Sequence, residues 1–120
     1  MAPAPIVIDK GAPLADAHQL MREHQIRHLP VMDGSELVGL VSVRDLHLME
    51  TLKDVDPASV SVAEAMSTEL YIVDPDTELR AVALNMYSRK LGSALVVDDG
   101  KLVGLFTTVD ALRVLANVQA

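Results

Sequence analysis

Two heptads of the sequence place a hydroxyl residue three positions before a carboxylate. GLVSVRD contains Ser42 and ends at Asp45, and GLFTTVD contains Thr107 and ends at Asp110. If each heptad runs from a strand into a helix, the hydroxyl and the acid can form a capping box. The same geometry leaves backbone N–H groups at a positive helix end, where a phosphate can bind. A carboxylate in that first turn can also accept hydrogen bonds from ribose hydroxyls.

Both interpretations of the heptads stay open. The [ST]-x-x-[DE] pattern is common and favours a structural role when taken alone, and Gly39 and Gly104 would then only allow close packing within a strand. Ligand binding uses the same geometry, with aliphatic walls of Val, Leu and Ile holding a flat base. Capping and ligand binding do not exclude each other.

The heptads belong to an internal duplication with a fixed offset of 65 residues, since Gly39 aligns with Gly104. Over residues 29–45 against 94–110, seven of seventeen positions are identical, where unrelated sequences would give about one. The chain therefore contains two copies of one unit.

Each copy predicts the same five elements in the order β-α-β-β-α. A short apolar strand is followed by a helix with apolar residues at i, i+3 and i+7, then by two β runs around a Gly-containing turn, and then by a last helix. The helix faces are Leu14, Ala17 and Met21 in copy one and Leu79, Val82 and Met86 in copy two. The other elements are predicted at 6–8, 29–32, 37–41 and 43–52, and at 71–73, 94–97, 102–106 and 108–116.

The predicted fold is mixed α/β (α+β), with two β-α-β-β-α repeats packed with pseudo-twofold symmetry. The first repeat is assigned to residues 1–60, including a short linker from Lys53, and the second to residues 61–120. The linker is too short to separate independent domains, and neither repeat alone would bury much surface. One compact module of two repeats is therefore expected.

Composition limits the classes of function. The 120 residues carry a formal net charge of −7, which argues against nucleic acid and anionic membranes as general partners. An anionic small molecule would need a local basic pocket. Cysteine is absent, which excludes disulfides and thiolate chemistry. The N-terminus lacks a signal-peptide pattern and no apolar run approaches about 18 residues, so a soluble cytoplasmic protein is expected.

Metal binding and catalysis are not predicted. The histidines are His18, His24, His28 and His47. His24 and His28 straddle a predicted helix-to-strand boundary, and no HExxH pattern or Cys/His cluster supports a metal site. No Gly-x-Ser-x-Gly elbow, P-loop or Gly-x-Gly-x-x-Gly motif occurs. We therefore expect no enzyme, no catalytic residue and no required cofactor.

The duplicated unit with its Gly-apolar-apolar-Ser/Thr-x-x-Asp motif resembles a tandem pair of cystathionine-β-synthase-type (CBS) domains, a Bateman module. The stretches MREHQIRHLPVMDGSELVGLVSVRDL and RKLGSALVVDDGKLVGLFTTVDAL carry the resemblance, and VAEAMSTELYIVDPDTELRAV matches the entry to a second copy. The resemblance implies a stand-alone regulatory protein with two clefts between its repeats. In such clefts many members bind AMP, ADP, ATP or S-adenosylmethionine.

The resemblance also implies which residues bind the nucleotide. The heptad acid would hold the ribose, the hydroxyl would lie near the phosphate, and residues opening the second strand would contact base or phosphate. In one cleft these are Asp45, Ser42, Arg27 and His28, with Tyr71 from the other copy. In the other cleft they are Asp110, Thr107, Gly92 and Ser93, with Ile6 opposite.

The two clefts are not chemically equal. At the offset of 65, Arg27 aligns with Gly92, His28 with Ser93 and Arg44 with Val109. The first cleft therefore has up to three cationic groups and the second has none at these positions. Because charge-assisted hydrogen bonds are about twice as strong as neutral ones, a phosphorylated nucleotide is expected to prefer the Asp45 cleft. The Asp110 cleft is expected to be weak, selective for less charged ligands, or empty.

The expected function is that of a non-catalytic, energy-sensing module that signals nucleotide occupancy to an unknown effector protein. No fused effector domain is expected, because the two repeats and their linker fill the chain. A homodimer is expected, since the last helices carry more apolar surface than one face can bury. The residues concerned are Leu46, Leu48 and Met49, and Leu112, Val114 and Leu115. The alternative is a dimerisation or protein-interaction module that binds no nucleotide.

Overall fold

The computed structural model describes residues 5–118. The first half contains β1 (Ile8–Asp9), α1 (Leu14–His24), β2 (His28–Asp33), β3 (Glu36–Ser42) and α2 (Val43–Lys53). The second half contains β4 (Ile72–Val73), α3 (Leu79–Arg89), β5 (Ser93–Asp98), β6 (Lys101–Thr107) and α4 (Thr108–Ala116). The predicted mixed α+β fold with two β-α-β-β-α units is confirmed. The opening strands differ most, since β1 begins two residues later than the predicted strand 6–8 and β4 one residue later than 71–73. The four hairpin strands each extend one residue further at both ends than predicted, and α2 extends one residue further at its end.

The chain divides into two compact units, one formed by Ile6–Leu70 and the other beginning at Tyr71. Residues beyond the predicted repeat boundary at 60 pack onto the first unit. A 3₁₀ turn at Val62–Glu64 buries Val62 completely, and the N–H of Val62 donates to the carbonyl of Ala12 at 2.7 Å. The segment that follows α2 is thus part of the first unit.

Each unit contains a three-stranded sheet with the same order, β1-β2-β3 and β4-β5-β6. The first two strands are parallel and are connected through a helix, as parallel strands require, whereas the last two form an antiparallel hairpin. His28 lies opposite Ser42, and Ser93 lies opposite Thr107. The register shifts after the fourth residue of both β2 and β5. The duplication therefore extends to the pairing of individual residues.

The turns follow from backbone conformations that few residues adopt. Gly34 has a φ of 61°, as the first central residue of a type II′ hairpin turn does. Asp99 and Gly100 have φ values of 52° and 78°, which is the two-residue pattern of a type I′ turn. Helices α1 and α3 both end in a left-handed residue, Gln25 and Lys90. These turns fix the hairpin register that brings each strand end to the start of the next helix.

The two units differ in how much apolar surface they bury. The core of the first unit consists of Ile8, Leu14, Ala17, Met21, Leu29, Val31, Val41, Leu46 and Val62. The corresponding cluster of the second unit consists of Val82, Met86 and Ala94, with Tyr71, Val73, Leu91 and Phe106 packed against it. Among the residues that the structure describes, no helix is long and apolar enough to cross a membrane.

Candidate ligand site at the strand-to-helix junctions

Helix α2 begins with a complete capping box. The extended backbone of Ser42 ends β3, and the Ser42 N–H donates to Asp45 Oδ2 at 2.8 Å. In return, the Asp45 N–H donates to Ser42 Oγ at 3.1 Å. Two N–H groups that a helix start leaves without partners are thereby satisfied. The capping interpretation of the first heptad is confirmed, and Asp45 is held partly buried at the third position of the helix.

The second heptad repeats this arrangement at α4 with one addition. The Thr107 N–H donates to Asp110 Oδ2 at 2.8 Å, and the Asp110 N–H donates to Thr107 Oγ1 at 3.3 Å. The Thr107 hydroxyl also donates to Asp110 Oδ2 at 3.1 Å. Both acids are therefore fixed by their own strand end before any ligand binds.

Several backbone N–H groups at the start of α2 already have partners within the chain. Besides the N–H groups of Ser42 and Asp45, that of Val43 donates to the Arg27 carbonyl at 3.0 Å. The position of a phosphate at this helix start stays a prediction, and three of the backbone N–H groups there already have partners within the chain.

His28 lies at the first position of β2, opposite Ser42, and is partly buried. Burial lowers the pKa of His28 below its ordinary value, and the nearby Arg27 guanidinium lowers this pKa further, while the Asp45 carboxylate opposes both. The lowered pKa favours the neutral imidazole, and the other two of the up to three predicted cations, Arg27 and Arg44, are exposed arginines. A neutral imidazole can donate from one nitrogen and accept at the other.

The Asp110 junction has the same backbone hydrogen bond but different side chains. The Thr108 N–H donates to the Gly92 carbonyl at 3.1 Å, as Val43 does to Arg27, whereas Ser93 is buried with 7% of its surface exposed. Arg113 Nη2 donates to Asp110 Oδ1 at 3.1 Å. Sequence reasoning missed this ion pair, although an Asp and an Arg three residues apart on a helix is the pattern that predicts one.

A family model described as "CBS domain" matches residues 1–48 and 62–117, which are the two copies of the duplicated unit. The chain belongs to the CBS-domain family. Its tandem organisation, predicted from the offset of 65, is confirmed by the two matched segments.

Two relatives show how this CBS pair occurs in proteins of different length. The CBS domain-containing protein YhcV of Bacillus subtilis is 30% identical over 108 residues, which cover 89% of this chain and 76% of YhcV. A longer relative from Methanocaldococcus jannaschii, MJ1232, is 26% identical, and this CBS pair spans 36% of its length.

Two solved structures show the same fold. A protein with CBS domains from Burkholderia ambifaria MC40-6 superimposes with a TM-score of 0.89 at 28% identity, over 98% of this chain and 88% of that one. CBSX2, solved in complex with AMP, superimposes with a TM-score of 0.83 at 26% identity, over 100% of this chain and 95% of that one.

Tyr71 has its side chain held within the second unit of the CBS pair. Asn85 Nδ2 donates to the Tyr71 hydroxyl at 3.2 Å, and the Arg89 guanidinium lies over the Tyr71 ring, 5.1 Å from its centre. Ile6 packs partly buried against the core of the first unit. The roles predicted for these two residues in the opposite clefts stay predictions.

Two of the remaining histidines, His18 and His47, lie at the contact between α1 and α2. His18 Nε2 lies 2.5 Å from Glu50 Oε2, and the His18 ring meets the His47 ring edge-on with 6.3 Å between their centres. Within residues 5–118, no group of three or more His, Cys, Asp or Glu side chains is arranged to hold a metal ion. The contact joins two helices of the first unit.

We expect Ser42→Ala to lower the free energy of unfolding by about 0.5–2 kcal/mol, since it removes the oxygen that caps α2. Without a ligand the loss reflects the cap alone, because the cap forms within the chain. Urea denaturation followed by circular dichroism measures it. Ser88→Ala, in the exposed face of α3, is the control and should change stability by less than about 0.5 kcal/mol. Equal effects of the two changes would contradict a stabilising cap.

Proposed function

We propose that this CBS pair is a non-catalytic regulatory module of the cytoplasm that binds an adenine nucleotide, with AMP, ADP, ATP and S-adenosylmethionine as the candidates. The observation that carries the proposal is the placement of Arg27, His28, Arg44 and Asp45 around the start of α2 in a CBS pair. The complex of the similar protein CBSX2 with AMP supports the nucleotide class.

The ribose and the phosphate of the nucleotide each have a matching group at the Asp45 junction. Asp45 Oδ2 accepts the hydrogen bond from the capping Ser42 N–H, whereas Asp45 Oδ1 accepts no hydrogen bond from the described residues. That oxygen can accept ribose hydroxyls. Arg27 and Arg44 can donate charge-assisted hydrogen bonds to phosphate oxygens. The chain as a whole carries a net charge of −7, which repels an anionic ligand. The local positive charge of Arg27 and Arg44 offsets this repulsion at the Asp45 junction.

The proposed output is a change in a conformational equilibrium. A nucleotide shifts such an equilibrium only by its difference in affinity between the two states. The module would pass this shift to an effector protein or to a second copy of itself. A homodimer is supported by α4, which buries none of its residues within the chain and exposes Val109, Leu112 and Leu115 by 59–68%. Apolar surface of this kind marks protein contacts.

The second candidate is a CBS pair that serves only as an interaction module. The observation in its favour is that both capping boxes are complete without a ligand and that Val43 also has its N–H satisfied. In this case Asp45 and Asp110 would stabilise helix starts and nothing more. The exposed apolar face of α4 would then be the functional surface.

A thermal-shift panel with AMP, ADP, ATP, S-adenosylmethionine and NADH separates the two candidates. A ligand at 100 times its dissociation constant adds about 2.7 kcal/mol to the apparent stability. We expect a shift with at least one adenine nucleotide. Asp45→Ala should remove most of that increment, whereas Asp110→Ala should leave it nearly intact, because Arg27 and Arg44 lie at the Asp45 junction.

The ligand-dependent increment is compared rather than the melting temperature itself, because Asp45→Ala and Asp110→Ala also weaken a cap. Asp98→Ala removes the same charge from an exposed hairpin and should leave the increment unchanged. Equal losses from Asp45→Ala and Asp110→Ala, measured by isothermal titration, would refute the preference for the Asp45 junction. No shift with any compound of the panel would favour the interaction module.

A further inference from the structure

Asp45 and Asp110, the two candidate residues for binding ribose, differ in how many hydrogen bonds they already accept within the chain. An ionised carboxylate offers about four acceptor positions. From the described residues, Asp45 accepts one hydrogen bond, that of the Ser42 N–H. Asp110 accepts three, from the Thr107 N–H, the Thr107 hydroxyl and Arg113. A ribose diol needs two acceptor positions, and Asp110 therefore has fewer remaining than the diol needs.

Arg113 makes one of the two additional hydrogen bonds at Asp110, and the Thr107 hydroxyl makes the other. The Arg113 guanidinium occupies Asp110 Oδ1, the oxygen that the capping box leaves available. The residue of the first copy at the equivalent position, 113 − 65 = 48, is Leu48, which cannot donate a hydrogen bond. The Thr107 hydroxyl can rotate to another acceptor, whereas the guanidinium also neutralises charge at the carboxylate.

We propose that Arg113 is a specificity-determining residue that disfavours ribose at Asp110, so that nucleosides bind at Asp45. The inference rests on the proposed nucleotide function and deepens it, because it names the residue that makes the two junctions unequal for the ribose itself. Phosphate preference then comes from Arg27 and Arg44, and ribose preference from the contrast between Arg113 and Leu48.

The size of the effect follows from the exposure of the pair. The Arg113 side chain is 68% exposed and that of Asp110 is 27% exposed. Exposed ion pairs contribute little, since solvent and salt screen them. We therefore expect Arg113 to change the affinity for a ribose at Asp110 by roughly two- to fivefold.

The test uses adenosine, which presents a ribose without phosphate, so that a changed arginine cannot act through phosphate charge. In an Asp45→Ala background, where only the Asp110 junction retains its acid, adding Arg113→Leu should strengthen adenosine binding roughly two- to fivefold. In an Asp110→Ala background, adding Leu48→Arg should weaken adenosine binding by a similar factor. Titrations followed by NMR measure both affinities at millimolar ligand.

Two controls identify the diol as the group that responds. The affinity for 2′,3′-dideoxyadenosine, which lacks both hydroxyls, should not change with Arg113→Leu. Arg80→Leu, which removes an exposed arginine of α3, should leave adenosine binding unchanged. If Arg113→Leu strengthens the binding of both nucleosides equally, or strengthens neither while the wild-type protein binds AMP, Arg113 does not select against ribose and only this inference fails. If the wild-type protein binds neither AMP nor adenosine, the proposed function and this inference fail together.

Discussion

Replacing Leu14 by alanine should lower the free energy of unfolding by about 2–5 kcal/mol, the loss expected when a fully buried leucine leaves a cavity. The Leu14 side chain has 0% of its surface exposed, and it packs into the core of the first unit. This core cannot collapse easily around the cavity, because the start of α1 is held to the segment after α2. The Leu14 N–H donates to the Val60 carbonyl of that segment at 2.9 Å.

The chain provides its own control for this change. Leu79 is the equivalent of Leu14 in the second copy, at the same position of its helix, but 43% of its surface is exposed. Leu79→Ala should cost less than about 1.5 kcal/mol, since only part of the side chain leaves an apolar environment. Urea denaturation, followed by circular dichroism for both variants, gives the comparison. Equal losses would contradict the difference in burial between the two units.

Much of the fold can be predicted because local rules decide it. The offset of 65 residues correctly aligns α1 with α3, and the capping pattern correctly places the starts of α2 and α4. Helix starts depend on residues within one turn of the chain, and hairpin turns on two residues with positive φ. Such features are visible in a short stretch of sequence.

Burial was harder to predict because it depends on distant parts of the chain. The apolar periodicity of α1 and α3 is the same, yet Leu14 is buried and Leu79 is exposed. In the first unit, Val62 from the segment after α2 joins the core that contains Leu14. Periodicity shows which face of a helix is apolar but does not show what covers that face.

The same distinction applies to the candidate site. The capping partners of Ser42 and Thr107 follow from spacing and were predicted as one of two interpretations. The lowered pKa of His28 depends on burial under neighbouring elements. The pairing of Arg113 with Asp110 depends on side-chain direction, although its spacing gave a signal. The number of basic residues in the sequence therefore does not by itself show how many of them are charged at the Asp45 junction.

Replacing Gly39 by alanine should destabilise the first unit by about 1–3 kcal/mol, as forced overpacking does. A Cβ built at Gly39 would lie 2.5 Å from Met66 Sδ and 3.0 Å from the Ser67 carbonyl oxygen. The methionine side chain can move, but the carbonyl is fixed. Ser67 and Leu40 exchange two backbone hydrogen bonds, of 2.8 and 3.0 Å, across the edge of β3.

Gly104 in β6 is the matched control for this change. A Cβ there would meet Val96 at 3.5 Å, an ordinary van der Waals contact. Gly104→Ala should therefore be neutral or should stabilise by about 0.4–1 kcal/mol, because alanine reduces the entropy of the unfolded chain. Thermal and urea denaturation measure the free energy of unfolding of both variants.

Adding Met66→Ala to Gly39→Ala should restore little stability if the Ser67 carbonyl is the main obstacle, since only the sulfur contact is relieved. If Gly39→Ala is as stable as Gly104→Ala, the segment after α2 is not held rigidly against β3. Gly39 would then have the same role as Gly104, that of a small residue within a strand.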